Sequence, residues 1–206
     1  MPRVSSPRIL WISGWSVPAP WLVGEARAAL PEYEHSAITP DAGAVASALQ
    51  SEADILGGFS LGAHLLLGLD DPRPRILLAP FIDLRSEAGL GGAVTTTQIK
   101  HLLRWLKRDP VAAIADFHQR IGVALPPQTD SPDIPKLAWG LEQMLAPAPA
   151  LGHLPSGTIA VAGKNDPLLD TDTLKKHLSC LQVIDSGHQL QPLLAAAGRL
   201  RQSAVS

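Results

Sequence analysis

Apolar and polar positions follow a repeating pattern: a short apolar run, a turn rich in glycine or proline, then a longer stretch with helical spacing. Arg8–Ser13 (RILWIS) predicts a buried strand, because it is apolar on both faces over strand length. Pro20–Leu30 predicts a helix, with Pro20 in its first turn and Pro31 ending it. Tyr33–Ile38 is more polar and predicts a strand at a sheet edge, and Asp41–Ser51 predicts a short helix capped by Asp41. Asp54–Gly57 predicts a third strand and Leu61–Leu69 a buried helix, apolar on nearly every side. Arg75–Ala79 predicts a fourth strand.

The pattern changes after Pro80. Helices are predicted over Thr97–Lys107, Pro110–Ile121 and Ile134–Leu145, with proline-rich joints at Pro126–Pro127 and Pro147–Pro149 and no strand between them. Strands return at Thr158–Ala162 and Leu181–Ile184, and a helix closes the chain over Gln189–Gln202. Strands alternating with helices imply a parallel sheet covered on both faces. The expected architecture is therefore α/β, a mainly parallel six-stranded sheet built from residues 1–80 and 156–206. A helical cap, residues 81–155, is inserted after the fourth strand.

Composition narrows the function. The chain has 206 residues, 46% hydrophobic and 17% charged, with a net charge of −2. That supports a substantial core, and no block of like charge points to nucleic acid. The single cysteine, Cys180, leaves no internal disulfide and no CxxC zinc pattern, so no metal or cofactor is expected. It fits a reducing, cytoplasmic setting. Arg3 and Arg8 before the apolar Ile9–Trp15 faintly imitate a signal peptide, but Gly14, Pro18 and Pro20 interrupt it, and no run is long enough to span a bilayer.

The chemistry concentrates where strands end. Gly58-Phe59-Ser60-Leu61-Gly62 matches G-x-S-x-G between a predicted strand and a predicted helix, the setting of a nucleophile elbow. A serine hydroxyl needs an adjacent base. His188 follows the last predicted strand and so reaches the rim on which Ser60 stands. His64, one helical turn past Ser60, points back into the packing. His35 lies on the edge strand, His101, His118 and His153 belong to the insertion or its boundary, and His177 to a surface helix. Asp166, after the fifth strand, supplies a carboxylate to orient the base, in the chain order Ser, Asp, His. Asp83 rivals it, while Asp170 and Asp172 sit at a helix start. Backbone N–H groups of Leu61 and Trp15 are the candidates for an oxyanion hole, with Gly14 allowing close approach.

These motifs resemble the α/β hydrolases over nearly the whole chain. The Gly14-Trp15 pair, the Ser60 elbow, the helical insertion, Gly163-Lys164-Asn165-Asp166 and Gly187-His188 most resemble the pimeloyl-[acyl-carrier-protein] methyl ester esterases of biotin synthesis. The resemblance implies a serine esterase with the triad Ser60, Asp166 and His188 and an oxyanion loop at Trp15. Ser13 stands where that family carries a histidine, and only seven residues precede the first predicted strand, where the family places a hairpin. Lys100, Arg104, Lys107 and Arg108 recur at helical spacing and share one face. That face is either an ordinary solvated surface or a dock for an acidic carrier protein, as cap arginines are in the resembling esterases. Trp105, Trp139 and Phe117 either line an acyl pocket or form the core of the cap. A thioesterase or general short-acyl esterase, or a non-catalytic binding module on the same scaffold, are the alternative readings.

Overall fold

The computed structural model describes residues 6–126 and 131–205; Arg3 and Pro127 of the sequence reading fall outside them. Six strands form one sheet: β1 (Arg8–Ile12), β2 (Glu34–Ile38), β3 (Ile55–Phe59), β4 (Arg75–Leu78), β5 (Ile159–Gly163) and β6 (Leu181–Ile184). Their order is β2-β1-β3-β4-β5-β6, and every neighbouring pair is parallel. Parallel strands need long crossovers, and helices supply them here. These are α1 (Ala19–Ala29), α2 (Ala44–Gln50), α3 (Leu61–Leu67) and α7 (Thr171–His177), while α8 (Leu190–Val205) follows β6. Three more, α4 (Thr96–Arg108), α5 (Pro110–Ile121) and α6 (Ile134–Leu145), lie in the connection between β4 and β5. Among the described residues, no helix is long and apolar enough to cross a membrane.

The central strands β1, β3 and β4 are apolar on both faces because helices cover both. Ile9, Trp11, Leu56, Ile76 and Leu77 are essentially inaccessible. Burying such side chains contributes roughly 1.5–3 kcal/mol each. Two buried polar groups are paired in ways the sequence pattern does not reveal. Trp11 Nε1–H donates to His35 Nδ1 at 3.0 Å, so the edge strand β2 carries a buried histidine locked to its neighbour. Arg75 spends its guanidinium on the carbonyl oxygens of Leu66, Leu69 and Asp71, closing the end of α3.

The starts of α4, α5, α6 and α7 are set by side-chain capping. Thr95 and Gln98 form a reciprocal capping box at α4, and Asp109 and Asp133 cap α5 and α6. Asp170 caps α7, as its position at a helix start suggests. The expected cap at Asp41 is corrected. Its carboxylate accepts from Gly43 N–H at 2.9 Å in an Asx turn, so the helix begins only at Ala44 with Gly43 as its N-cap.

Candidate active site

Ser60 occupies the sharpest turn of the sheet. It follows β3 directly and precedes α3, with φ 53° and ψ −113°, a strained conformation for a residue with a side chain. The flanking glycines are steric requirements. A Cβ on Gly58 would lie 2.6 Å from the backbone of Ala63, and one on Gly62 would run into the carbonyl of Ile12 on the neighbouring strand. The turn is held from below by Ser60 N–H donating to Leu78 O at 2.8 Å. The serine is thus lifted at the carboxyl end of a central strand, and Leu61 N–H opens the helix beside it.

The other two residues come from β5 and β6. Because all strands run the same way, the loops after them meet on the rim that carries Ser60. His188 Nδ1 lies 2.6 Å from Asp166 Oδ2, and both side chains are almost fully buried, 2% and 0% exposed. The second oxygen of Asp166 accepts from Leu168 N–H at 2.9 Å, which fixes the carboxylate plane. A carboxylate at Nδ1 holds the imidazole proton there and leaves Nε2 bare to accept a proton. The His188 ring packs on Phe59, the residue before Ser60, with centroids 5.2 Å apart. Among the described residues, no hydrogen bond joins His188 Nε2 to the Ser60 hydroxyl, a contact that often tightens only when substrate is bound.

Asp83, the rival carboxylate, is committed elsewhere. It pairs with Arg85 through two hydrogen bonds of 2.9 and 2.6 Å. Burial alone would raise its pKa, but the Arg85 contacts outweigh that and hold it below the usual range. His64 is structural, as its helical position implies. Its Nδ1 meets Phe81 O at 3.0 Å, its ring stacks on Phe81, and burial lowers its pKa.

The loop after β1 faces this rim. Trp15 is 2% exposed, and its indole N–H donates to Leu137 O of α6 at 2.8 Å. Ser16 has φ 55°, and its hydroxyl donates to Trp15 O at 2.7 Å. The same hydroxyl lies 2.8 Å from His118 Nε2 on α5. His118 is a site neighbour that sequence reasoning assigned only to the insertion. Its pKa is lowered to about 4, mainly by burial and in smaller part by the nearby His188, with the Trp15 backbone carbonyl opposing the shift. Its one sequence signal is its spacing with Ala113 and Ile121 on the buried face of α5. Ser13, preceding this loop, has a buried hydroxyl with no partner among the described residues.

Two cavities are lined by residues of the helical block, and neither lining includes Ser60, Asp166 or His188. One, of about 460 Å³, is lined by Leu84, Trp105, Phe117, Leu141 and Leu168 and touches Arg104 at its mouth. The other, of about 650 Å³, lies over Gly14–Pro18 and against Ile114, His118 and Leu137. Trp105 and Phe117 therefore line a cavity, whereas Trp139 lines neither. Ser60 itself is 5% exposed. Lys100, Arg104, Lys107 and Arg108 are all exposed along α4. Among the described residues, no cluster of three or more His, Cys, Asp or Glu side chains is arranged to hold a metal.

No family model and no curated protein matches the chain. Solved structures do. A lipase-esterase related protein from Clostridium acetobutylicum superposes with a TM-score of 0.59 at 14% identity, covering 98% of this chain and 94% of that one. The type II thioesterase YbtT of the yersiniabactin pathway gives 0.61 at 16% identity, covering 98% and 93%. An epoxide hydrolase of the α/β hydrolases superfamily, from metagenomes of hot environments, gives 0.55 at 13% identity, covering 97% and 90%. With its parallel six-stranded sheet, its helices on both faces and this likeness along nearly its full length, the chain has the α/β-hydrolase fold.

Proposed function

We propose that the protein is a serine hydrolase that cleaves a carboxylic ester through an acyl-serine intermediate. The observation that carries this reading is the buried His188–Asp166 pair, at 2.6 Å, on the same rim as a strained serine elbow. His188 takes the Ser60 proton as the hydroxyl attacks the ester carbonyl, and Asp166 stabilises the imidazolium that forms. The oxyanion is met by the N–H groups of Leu61 and Trp15. His188 then returns the proton to the leaving alcohol, and water cleaves the acyl-serine by the reverse sequence.

The apolar linings of the two cavities favour an acyl chain over a polar substrate. Within that class the motif resemblance favours a pimeloyl-carrier methyl ester, and the exposed stripe of Lys100, Arg104, Lys107 and Arg108 suits an acidic carrier. The fold is also that of thioesterases, so a thioester is the second reading. The helical block of residues 81–155 serves as the cap over the site. The test is a hydrolysis panel run with the wild-type protein and Ser60→Ala: p-nitrophenyl esters of graded chain length, an acyl thioester, and a methyl ester borne on an acyl-carrier protein. Turnover that depends on Ser60 and is highest on the carrier ester supports the full reading. Preference for the thioester replaces the substrate class, and turnover that survives in Ser60→Ala removes the mechanism.

A further inference from the structure

The loop that carries Trp15 is fastened to the helical block rather than to the sheet. Trp15 gives its indole hydrogen bond to α6 through Leu137 O, and its ring meets the edge of Phe117 on α5 at 4.9 Å and 81°. Ser16, next in sequence, touches His118 on α5 at 2.8 Å. In the tautomer that carries its proton on Nε2, the neutral His118 ring donates to the Ser16 hydroxyl, which in turn gives its one hydrogen to Trp15 O. The three groups form a chain of contacts from α5 into the residue whose N–H is proposed to face the developing charge. Ser16 also sits at φ 55°, so this part of the loop holds a conformation that side-chain-bearing residues rarely adopt without support.

A second contact comes from α6. Gly140 lies inside the helix, where glycine is about 1 kcal/mol less favourable than alanine. A Cβ there would sit 2.7 Å from Trp15 Cδ1 and 3.0 Å from Leu61 Cδ2. The helix thus packs directly on both residues whose N–H groups form the proposed oxyanion hole.

We infer that His118 is a positioning residue which, with Gly140, makes seating of the cap a condition for assembling the oxyanion hole. This rests on the serine-hydrolase reading above. The cap then does more than enclose the acyl chain: when α5 and α6 are seated, the Trp15 N–H is aimed, and when they lift, the loop loses the hydrogen bonds that hold Ser16 and Trp15.

Removing an oxyanion donor typically costs 10²–10³-fold in kcat, and misaiming one should cost part of that. His118→Phe, which keeps a ring but no donor, is expected to lower kcat about 10–100-fold with KM changed by less than about 3-fold. His118→Gln, whose amide nitrogen reaches the position of Nε2, is expected to recover most of it. Ser16→Ala should reproduce part of the loss, and the Ser16→Ala/His118→Phe double variant should lose less than the sum of the two, because both groups converge on the Trp15 carbonyl. Amide hydrogen exchange over residues 14–17 gives a readout independent of turnover. Losing the bond should speed it about 2–10-fold in His118→Phe and leave His118→Gln near wild type. Unchanged kcat and unchanged exchange in His118→Phe would overturn the inference. A loss confined to KM, or additive losses in the double variant, would also overturn it, leaving His118 as pocket lining. If the wild-type protein shows no Ser60-dependent turnover, the hydrolase reading fails and the oxyanion role fails with it; the exchange data still decide whether α5 fastens the loop.

Discussion

The strand rim and the helical block are held by different forces. On the rim, backbone geometry does the placing: Ser60, Asp166 and His188 stand at the ends of three parallel strands whose register is fixed by ladder hydrogen bonds. In the block, side chains do it: α5 and α6 meet the core through Trp15, Phe117, His118 and the space left by Gly140. Backbone-placed residues are held by many ladder hydrogen bonds at once. Side-chain fastening gives way one contact at a time. Perturbing the rim should therefore abolish chemistry without moving the cap, and perturbing the cap should tune chemistry without destroying it.

The largest effect should come from the rim. Ser60→Ala is expected to eliminate ester hydrolysis while leaving the unfolding midpoint within a few degrees of wild type, since the strain at φ 53° falls on backbone that alanine tolerates about as well as serine. Asp166→Asn should lower kcat about 10³–10⁴-fold, because an amide N–H facing Nδ1 stabilises the wrong imidazole tautomer. Its companion Asp83→Asn should stay within about 3-fold on kcat and instead lose some stability, as it breaks a largely buried ion pair with Arg85. If the two phenotypes were exchanged, the orienting carboxylate would lie after β4 and the rim as described would be wrong.

Next in size is an acid response centred on the cap. The His118 pKa is about 4 when folded against 6.5 for an ordinary histidine. Above pH 6.5 both folded and unfolded states hold the ring neutral, and the shift has no effect. As pH falls from 6.5 towards 4 the unfolded chain takes up the proton first, so the folded state loses about 1.4 kcal/mol per pH unit, roughly 3 kcal/mol in total. His64 and His35, also lowered by burial, act in the same direction. Urea unfolding at pH 7 and pH 4.5 should show His118→Gln losing roughly 2 kcal/mol less than wild type on acidification. Equal losses would mean the ring is not buried in the neutral form.

Much of the rim is legible in the sequence because its signals are local. G-x-S-x-G, the Asp166 turn and Gly187-His188 each sit beside a short apolar strand, and parallel topology alone brings strand ends together. The helices α5 and α6 are equally legible, since Pro110 and Pro135 in their first turns, Asp caps and apolar periodicity mark them. What cannot be read is which of their residues face the rim. His118 and Gly140 look like ordinary members of amphipathic helices, and their contacts with Trp15 and Ser16 depend on how the block docks, across about a hundred residues of chain. Asp41 shows the same limit on a smaller scale. An Asx turn and an N-cap use the same side chain in the same sequence, and only the local backbone chooses between them.

The smallest expected effect concerns the outer face of the block. Arg104→Glu with Lys107→Glu should lower kcat/KM for a carrier-borne ester by less than about 10-fold and flatten its salt dependence, because exposed charges act mainly by steering and are screened over about 8–10 Å. A small neutral p-nitrophenyl ester should be cleaved at an unchanged rate. Equal losses on both substrates would instead mark a disturbance of the cavity that Arg104 borders.

The claim on which the account depends is that Ser60 is a nucleophile activated by His188. A fluorophosphonate reports this without knowledge of the substrate, since it forms a stable adduct only with an activated serine. Intact mass measurement of the wild-type protein should show a single adduct, mapped by proteolysis to the peptide containing Ser60. Ser60→Ala should show none, and His188→Ala should react at least about 10²-fold more slowly, because the serine then lacks its base. An adduct on another residue, or labelling of Ser60 at the wild-type rate in His188→Ala, would contradict the account.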